Sequence, residues 1–177
     1  MSSNTKKLTM VAMAVAMNFV GAWVALLLRL PIYFDSVGTI MSGILFGLKF
    51  GALAGLVTSL INGIFDSYSL YFMPVQIVLG ILAGILPGLI HSTWKGKVLW
   101  TIVLSLPASI VGAFIVTYLF GTMSSSGSSY IVQFLRGLGV GDFVAVFVTQ
   151  VCTDYFDKLL AVLLIDKILR HKIFQEL

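Results

Sequence analysis

The chain has 177 residues, 59% of them hydrophobic and only 10% charged, with a formal net charge of +4. Soluble domains carry roughly a quarter charged residues, so this balance, with a mean hydropathy of +1.05, excludes an ordinary soluble domain and predicts an integral membrane protein. The apolar residues come in long runs without the alternation of barrel strands. The expected fold class is therefore all-α, a bundle of transmembrane helices that satisfy their own backbone hydrogen bonds, in a single membrane domain over residues 1–177.

A helix needs about 20 residues to cross the hydrocarbon core, and the charges punctuate the chain at about that interval. Six transmembrane helices are predicted near 8–28, 32–48, 50–65, 72–91, 97–120 and 140–169. The first run, Leu8–Leu28, lacks a small-residue cleavage site followed by a soluble domain and is expected to be a retained span. Ala12 and Ala16 stand four apart in it, and Gly21 and Ala25 repeat the spacing. Such pairs bring helix backbones into contact, either within the bundle or against a partner.

Between helices 1 and 2, "RLPIYFDSVGTI" sets Pro31 and then Asp35–Ser36 ahead of an apolar run. Asp35 is expected to cap exposed backbone donors there, with ligand contact as the alternative. Helices 2 and 3 are short and joined by a tight "GLKFG" turn. Gly43 and Gly47, Gly51 and Gly55, and then Gly80, Gly84 and Gly88 form further small-residue stripes, read as packing within the bundle.

Six spans put both termini on one side. Lys6, Lys7, Lys49, Lys95, Lys97, Lys167, Arg170 and Lys172 fall on that side and only Arg29 and Arg136 on the other, which places the termini in the cytoplasm. The net charge thus reflects topology rather than nucleic-acid binding. Asp35, Asp66, Asp142 and the tyrosines Tyr33, Tyr68, Tyr71 and Tyr130 fall on the outer face. There "FDSYSLYFMPVQ" supplies carboxylate, hydroxyl, aromatic and amide groups within one short stretch. The Ser/Gly tract of "GTMSSSGSSYIVQFLRGLGVGD" can fold over a site or remain mobile.

Helix 6 carries Gln150, Asp154, Asp157 and Lys158 at or near membrane depth, where a charge costs at least a few kcal/mol unless paired or wet. Asp154 and Lys158, four apart, could form an ion pair on one helical face, a structural pair and a ligand site being equal alternatives. Asn18, Asn62, Gln76 and Gln150 add amides that must bond to another helix, a water or a ligand. Cys152 is expected to be a buried structural thiol. His91 and His171 are expected to be solvated at the interface and not to bind metal. The chain lacks a GxxxxGK[ST] phosphate loop, an HExxH zinc motif and a GxSxG elbow, so no enzyme activity, cofactor or metal is expected.

The size, the six helices, "AMAVA" in helix 1, "PIYFDSVGTIMSGILFGLKFGALAGLVTSLINGI" and "DKLLAVLLIDKIL" together resemble the substrate-binding S components of energy-coupling factor (ECF) vitamin transporters, over the whole chain. The resemblance implies a bacterial plasma-membrane subunit that binds a vitamin from outside. It would associate with a membrane scaffold subunit and two cytoplasmic ATPases, and reorient to release its ligand inward. It makes Ala12 and Ala16 the scaffold-docking surface and Arg29–Ser36 a lid over the pocket.

The segments "DSVGT" and "SLYFMPVQ" look similar to S components for pyridoxine or hydroxymethylpyrimidine. A neutral hydroxylated heterocycle would stack on Trp23, Tyr33 or Tyr71 and bond to Asn62, Gln76 and Gln150. Asp35, Tyr68 and Asp154 complete the candidate substrate-binding set. Pantothenate ranks behind, because the only outer cations, Arg29 and Arg136, are far apart in sequence. A membrane sensor or scaffold module and a proton-coupled carrier are the alternatives from other classes.

Overall fold

The apolar runs fold as helices in the computed structural model, which describes residues 3–86 and 93–170. In chain order these are α1 (Ser3–Leu27), α2 (Val37–Phe46), α3 (Leu48–Asn62), α4 (Tyr68–Tyr71), α5 (Met73–Ile85), α6 (Trp94–Phe120), α7 (Ser128–Gly137) and α8 (Asp142–Leu169). Stretches Asn4–Leu27 and Trp94–Phe120 are long and apolar enough to cross a membrane. Helices α2, α3 and α5 are apolar but have 10, 15 and 13 residues. At 1.5 Å per residue α2 extends about 15 Å, roughly half the hydrocarbon thickness.

Four expectations need correction. Helix 2 starts at Val37 rather than residue 32, because Phe34 adopts a left-handed φ of 51° and breaks the helical path. Its N-cap is Ser36, without a side-chain cap bond, so Asp35 does not cap it. The connections around residues 66–72 and 121–141 contain two further short helices, α4 and α7. Cys152 is exposed, not buried, because it shares with Val148 and Phe156 the face of α8 turned away from the bundle. The end of the expected helix 72–91, with Gly88 and His91, and His171 lie outside the described residues.

Glycines decide where α2, α3 and α5 meet. Gly47, at a φ of 85°, is the single residue between α2 and α3. Positive φ carries little cost only without a Cβ. Gly43 and Gly51 then face each other across that turn, and both lie against the Gly80 carbonyl, so a Cβ on Gly51 would strike backbone of α2 and α5 alike. These stripes are packing contacts.

Asn18 stitches α1 to the same group: Nδ2 donates to the Thr39 and Thr58 hydroxyls at 2.9 and 3.0 Å, and Oδ1 accepts from the Gly38 N–H at 2.6 Å. With its amide satisfied, Asn18 is a structural residue. Helix α6 packs along α8, and Ile40, Leu79, Trp100, Leu104, Val162 and Ile165 fill the core between α2, α5, α6 and α8. Toward one end of that pair Lys97 is buried against Asp166 at 2.5 Å, with Arg170 on the same carboxylate at 3.0 Å. Ala12 and Ala16, in contrast, are exposed on α1, opposite the buried Val11, Ala14, Val15 and Asn18.

Candidate substrate-binding site

The loop between α1 and α2 builds the site from one side. Gly21 lets it lie directly against α1, since a Cβ there would strike the Phe34 carbonyl. Asp157 on α8 anchors the loop by accepting the Phe34 N–H at 3.0 Å, with a longer contact of 3.5 Å from the Ser36 hydroxyl. On the far side, the Gly127 N–H donates to the Leu30 carbonyl at 3.1 Å, and Arg29 Nη1 donates to the Tyr130 hydroxyl at 2.9 Å. The segment before α7 reaches across to the α3–α4 connection, where Ser125 Oγ donates to Asp66 Oδ2 at 2.6 Å.

Beneath these loops lies a cavity of about 40 Å³. The loop contributes Tyr33 and Asp35, α3 contributes Ser59 and Asn62, and α5 contributes Gln76 and Leu79. Asp66, Tyr68, Ser69 and Phe72 come from around α4, Ala108 and Gly112 from α6, and Gln150, Asp154 and Lys158 from α8. Tyr33, Asp35, Asn62, Asp66 and Ser69 also line an adjoining compartment of about 270 Å³, whose other wall is Ala22, Trp23, Leu26, Leu27 and Phe65. Small-molecule pockets begin at roughly 300 Å³. The inner space alone is therefore too small for a heterocycle, and admission of one requires the shared partition, with Tyr33 and Asp35 in it, to shift.

The polar groups around the cavity are unevenly satisfied. Asp157, 2% exposed, accepts Lys158 Nζ at 2.7 Å besides the loop donors, so its lone pairs are used. The expected Asp154–Lys158 pair is present, with Asp154 Oδ1 4.0 Å from Nζ, and the adjacent Asp157 is a second and closer partner of the same lysine. Asp154 also accepts the Ser109 hydroxyl at 2.9 Å on Oδ2. Gln76 Nε2 donates to the Asp35 carbonyl at 3.2 Å, which fixes the amide and leaves its Oε1 buried without a partner. Side-chain amides of Asn62 and Gln150 make no hydrogen bond among the described residues. Buried polar atoms are paired in about nine cases of ten, so the unpartnered Gln76 Oε1 is unusual, and the Asn62 and Gln150 amides border the cavity beside it.

In the loop, burial pushes the Asp35 carboxyl up to about 6 against the opposing pull of Lys158. Burial likewise pushes the Tyr33 phenol up to about 12; its hydroxyl lies toward Ser124 and Ser125 without a well-formed bond.

The cavity thus gathers Tyr33, Asp35, Asn62, Tyr68, Gln76, Gln150 and Asp154 from the candidate set. Trp23 lines only the adjoining compartment, packed edge-on to Phe65 at 5.6 Å. Tyr71 lines neither; it is half exposed and packs on Phe120 at 5.0 Å. Lys158, Ser59 and Phe72 are lining residues that sequence reasoning did not single out as ligand contacts. Ser59 precedes Asn62 by three positions and so shares its helical face, and Phe72 stands within the aromatic stretch "SLYFMPVQ" without being distinguished from its neighbours.

The model of the family described as ECF transporter, substrate-specific component, matches residues 6–170. The chain belongs to that family. No curated protein and no solved structure matches it. An S component is a membrane-integral, substrate-binding subunit of a transporter rather than an enzyme, and the all-helical bundle with its apolar α1 and α6 agrees with that role. In this S component the cavity beneath the α1–α2 loop is lined by polar side chains from α3, α5 and α8 as well as from the loop itself.

Proposed function

We propose that this S component captures a water-soluble vitamin or vitamin precursor from outside the cell, with a pyridine or pyrimidine ring of the pyridoxine or hydroxymethylpyrimidine type favoured. The observation that carries the reading is the buried, unpartnered Gln76 Oε1 together with the Asn62 and Gln150 amides that line the same cavity beneath the α1–α2 loop. A flat ring would lie beside Tyr33 and Phe72, whose centroids are 6.4 Å apart, while its ring nitrogen and hydroxyls satisfy the amides and carboxylates. Pantothenate fits less well, because the one cation at the cavity, Lys158, is already held by Asp157.

The arrangement in the membrane belongs to the same proposal. Helices α1, α2, α3, α5, α6 and α8 are the six membrane-embedded helices, the short α2 joining α3 through Gly47 rather than crossing alone, with both termini cytoplasmic and the cavity opening outward. The exposed Ala12 and Ala16 form the surface on which the ECF scaffold subunit docks, linking substrate capture to two cytoplasmic ATPases. Their exposure supports docking over packing within the chain.

The test is to express the chain in cells fed a mixture of vitamins, purify it, and identify by mass spectrometry the small molecule released on denaturation. A pyridine or pyrimidine vitamin at near-equimolar amount is expected. Recovery of a different vitamin would overturn the substrate assignment, and recovery of none would overturn capture itself.

A further inference from the structure

The charges around the cavity do not balance. Asp35, Asp66 and Asp154 line it, and the single cation among the lining residues, Lys158, already holds Asp157 at 2.7 Å. Asp66 is satisfied by the Ser125 hydroxyl at 2.6 Å and the Tyr68 N–H at 3.2 Å. Asp154 accepts the Ser109 hydroxyl on one oxygen and has Lys158 at 4.0 Å from the other, and the Asp35 carboxylate, with Gln76 beside it, shares that one lysine with Asp157 and Asp154. Independently of the carboxylates, Gln76, 5% exposed, has Oε1 buried at the cavity wall without a donor, and the bond from its Nε2 to Asp35 prevents the amide from reversing. The groups around the cavity with a fixed identity are thus hydrogen-bond acceptors, and the acidic side chains among them outnumber the one lysine.

Acceptors in a water-poor enclosure attract a donor cation far more strongly than they would in water and repel an anion by the same factor. Tyr33, Tyr68 and Phe72 add aromatic surface to the same wall, and aromatic faces favour cations further. We infer that the ligand is bound as a cation, with a protonated nitrogen placed between Asp35 and Asp154 and donating to Gln76 Oε1. The inference rests on the substrate-capture reading above and narrows it from a neutral heterocycle to one whose basic nitrogen is charged in the complex.

The experiment is calorimetric titration of the whole purified chain with vitamins sorted by charge. Thiamine and pyridoxamine serve as cations, pyridoxine, nicotinamide and riboflavin as neutral probes, and nicotinate, pantothenate and biotin as anions. Pyridoxamine, pyridoxine and 4-pyridoxate, which share a ring and differ in one substituent, form the matched series. The tightest binder is expected among ligands with a basic nitrogen, with affinity falling at least tenfold at each step from pyridoxamine to pyridoxine to 4-pyridoxate. Asp35→Asn and Asp154→Asn should each flatten that series, and Gln76→Glu, which adds a charge at an accepting position, should steepen it.

An anionic vitamin binding tightest, or a series unchanged in both Asn variants that still bind, would overturn the inference while leaving capture intact. If no vitamin of any charge binds, the capture reading fails and the inference with it.

Discussion

Asp157 on α8 accepts a hydrogen bond from the backbone N–H of Phe34, 3.0 Å away, across 123 positions of sequence. The same carboxylate holds Lys158 at 2.7 Å, so one buried side chain ties the loop over the cavity to the helix that forms its floor. Phe34 has a φ of 51°, a conformation that costs a bulky residue about 1–3 kcal/mol and persists only where its surroundings hold it. Asp157→Ala removes the anchor and leaves a buried lysine unpaired. We expect a loss of about 3–5 kcal/mol of stability, the usual result of breaking a buried pair, read as a lowered unfolding temperature in detergent.

Gln76→Leu and Asn62→Leu test the cavity chemistry without touching that anchor. Each should weaken vitamin binding by about 1–3 kcal/mol, the scale of one unsatisfied buried partner, while the unfolding temperature stays close to that of the unaltered chain. Normal binding in both would make these amides structural, as Asn18 is.

Ala12→Trp and Ala16→Trp separate docking from capture. Both positions are exposed on α1 and away from the cavity, so vitamin binding by the isolated chain should be unchanged. Uptake in cells containing the scaffold and ATPase subunits should be lost. Normal uptake would remove the partner-face assignment.

Protonation gives a prediction with a definite sign. Asp35 titrates near 6, facing Lys158, which lowers its value, and Asp157 and Asp154, which raise it, with Gln76 and Tyr33 beside it. A cationic ligand binds the ionised carboxylate, so affinity is full above that value and is lost as pH falls through it. Once corrected for the ligand's own titration, affinity should drop below about pH 6 in the unaltered chain and should show no such step in Asp35→Asn.

Glycine packing offers a contrast within one experiment. A Cβ at Gly51 would meet the Gly80 carbonyl and Gly43 Cα, whereas one at Gly137 would meet nothing within 4 Å. Gly51→Leu should prevent recovery of folded protein, and Gly137→Ala should leave stability unchanged or slightly raised, as an alanine near a helix end permits. Folded Gly51→Leu protein would contradict the α2–α3–α5 contact.

Asn62, Gln76 and Gln150 were legible in the sequence because an amide in an apolar helix must find a partner, and few partners were on offer nearby. Tyr33 was legible through its loop. Trp23 and Tyr71 were not, because an aromatic ring at the end of a helix looks the same in sequence whether it faces a ligand, lipid or another ring; Tyr71 turned out to face Phe120.

Asp35 was misread as a cap because the left-handed turn at Phe34, which moves the cap to Ser36 and turns Asp35 inward, depends on a contact with a residue 123 positions away. Helical spacing found the Asp154–Lys158 pair at 4.0 Å but not the closer Asp157 at 2.7 Å, whose carboxylate also anchors the loop. Periodicity reports neighbours on one helix; what a loop brings to that helix is written elsewhere in the chain.

Capture of a vitamin in the cavity under the α1–α2 loop is tested by parallel calorimetric titrations of the unaltered chain and Gln76→Leu with the vitamin that binds tightest. One site per chain is expected, with an affinity at least fivefold weaker in the variant. Equal affinities in the two proteins, or no vitamin bound by the unaltered chain, would contradict it.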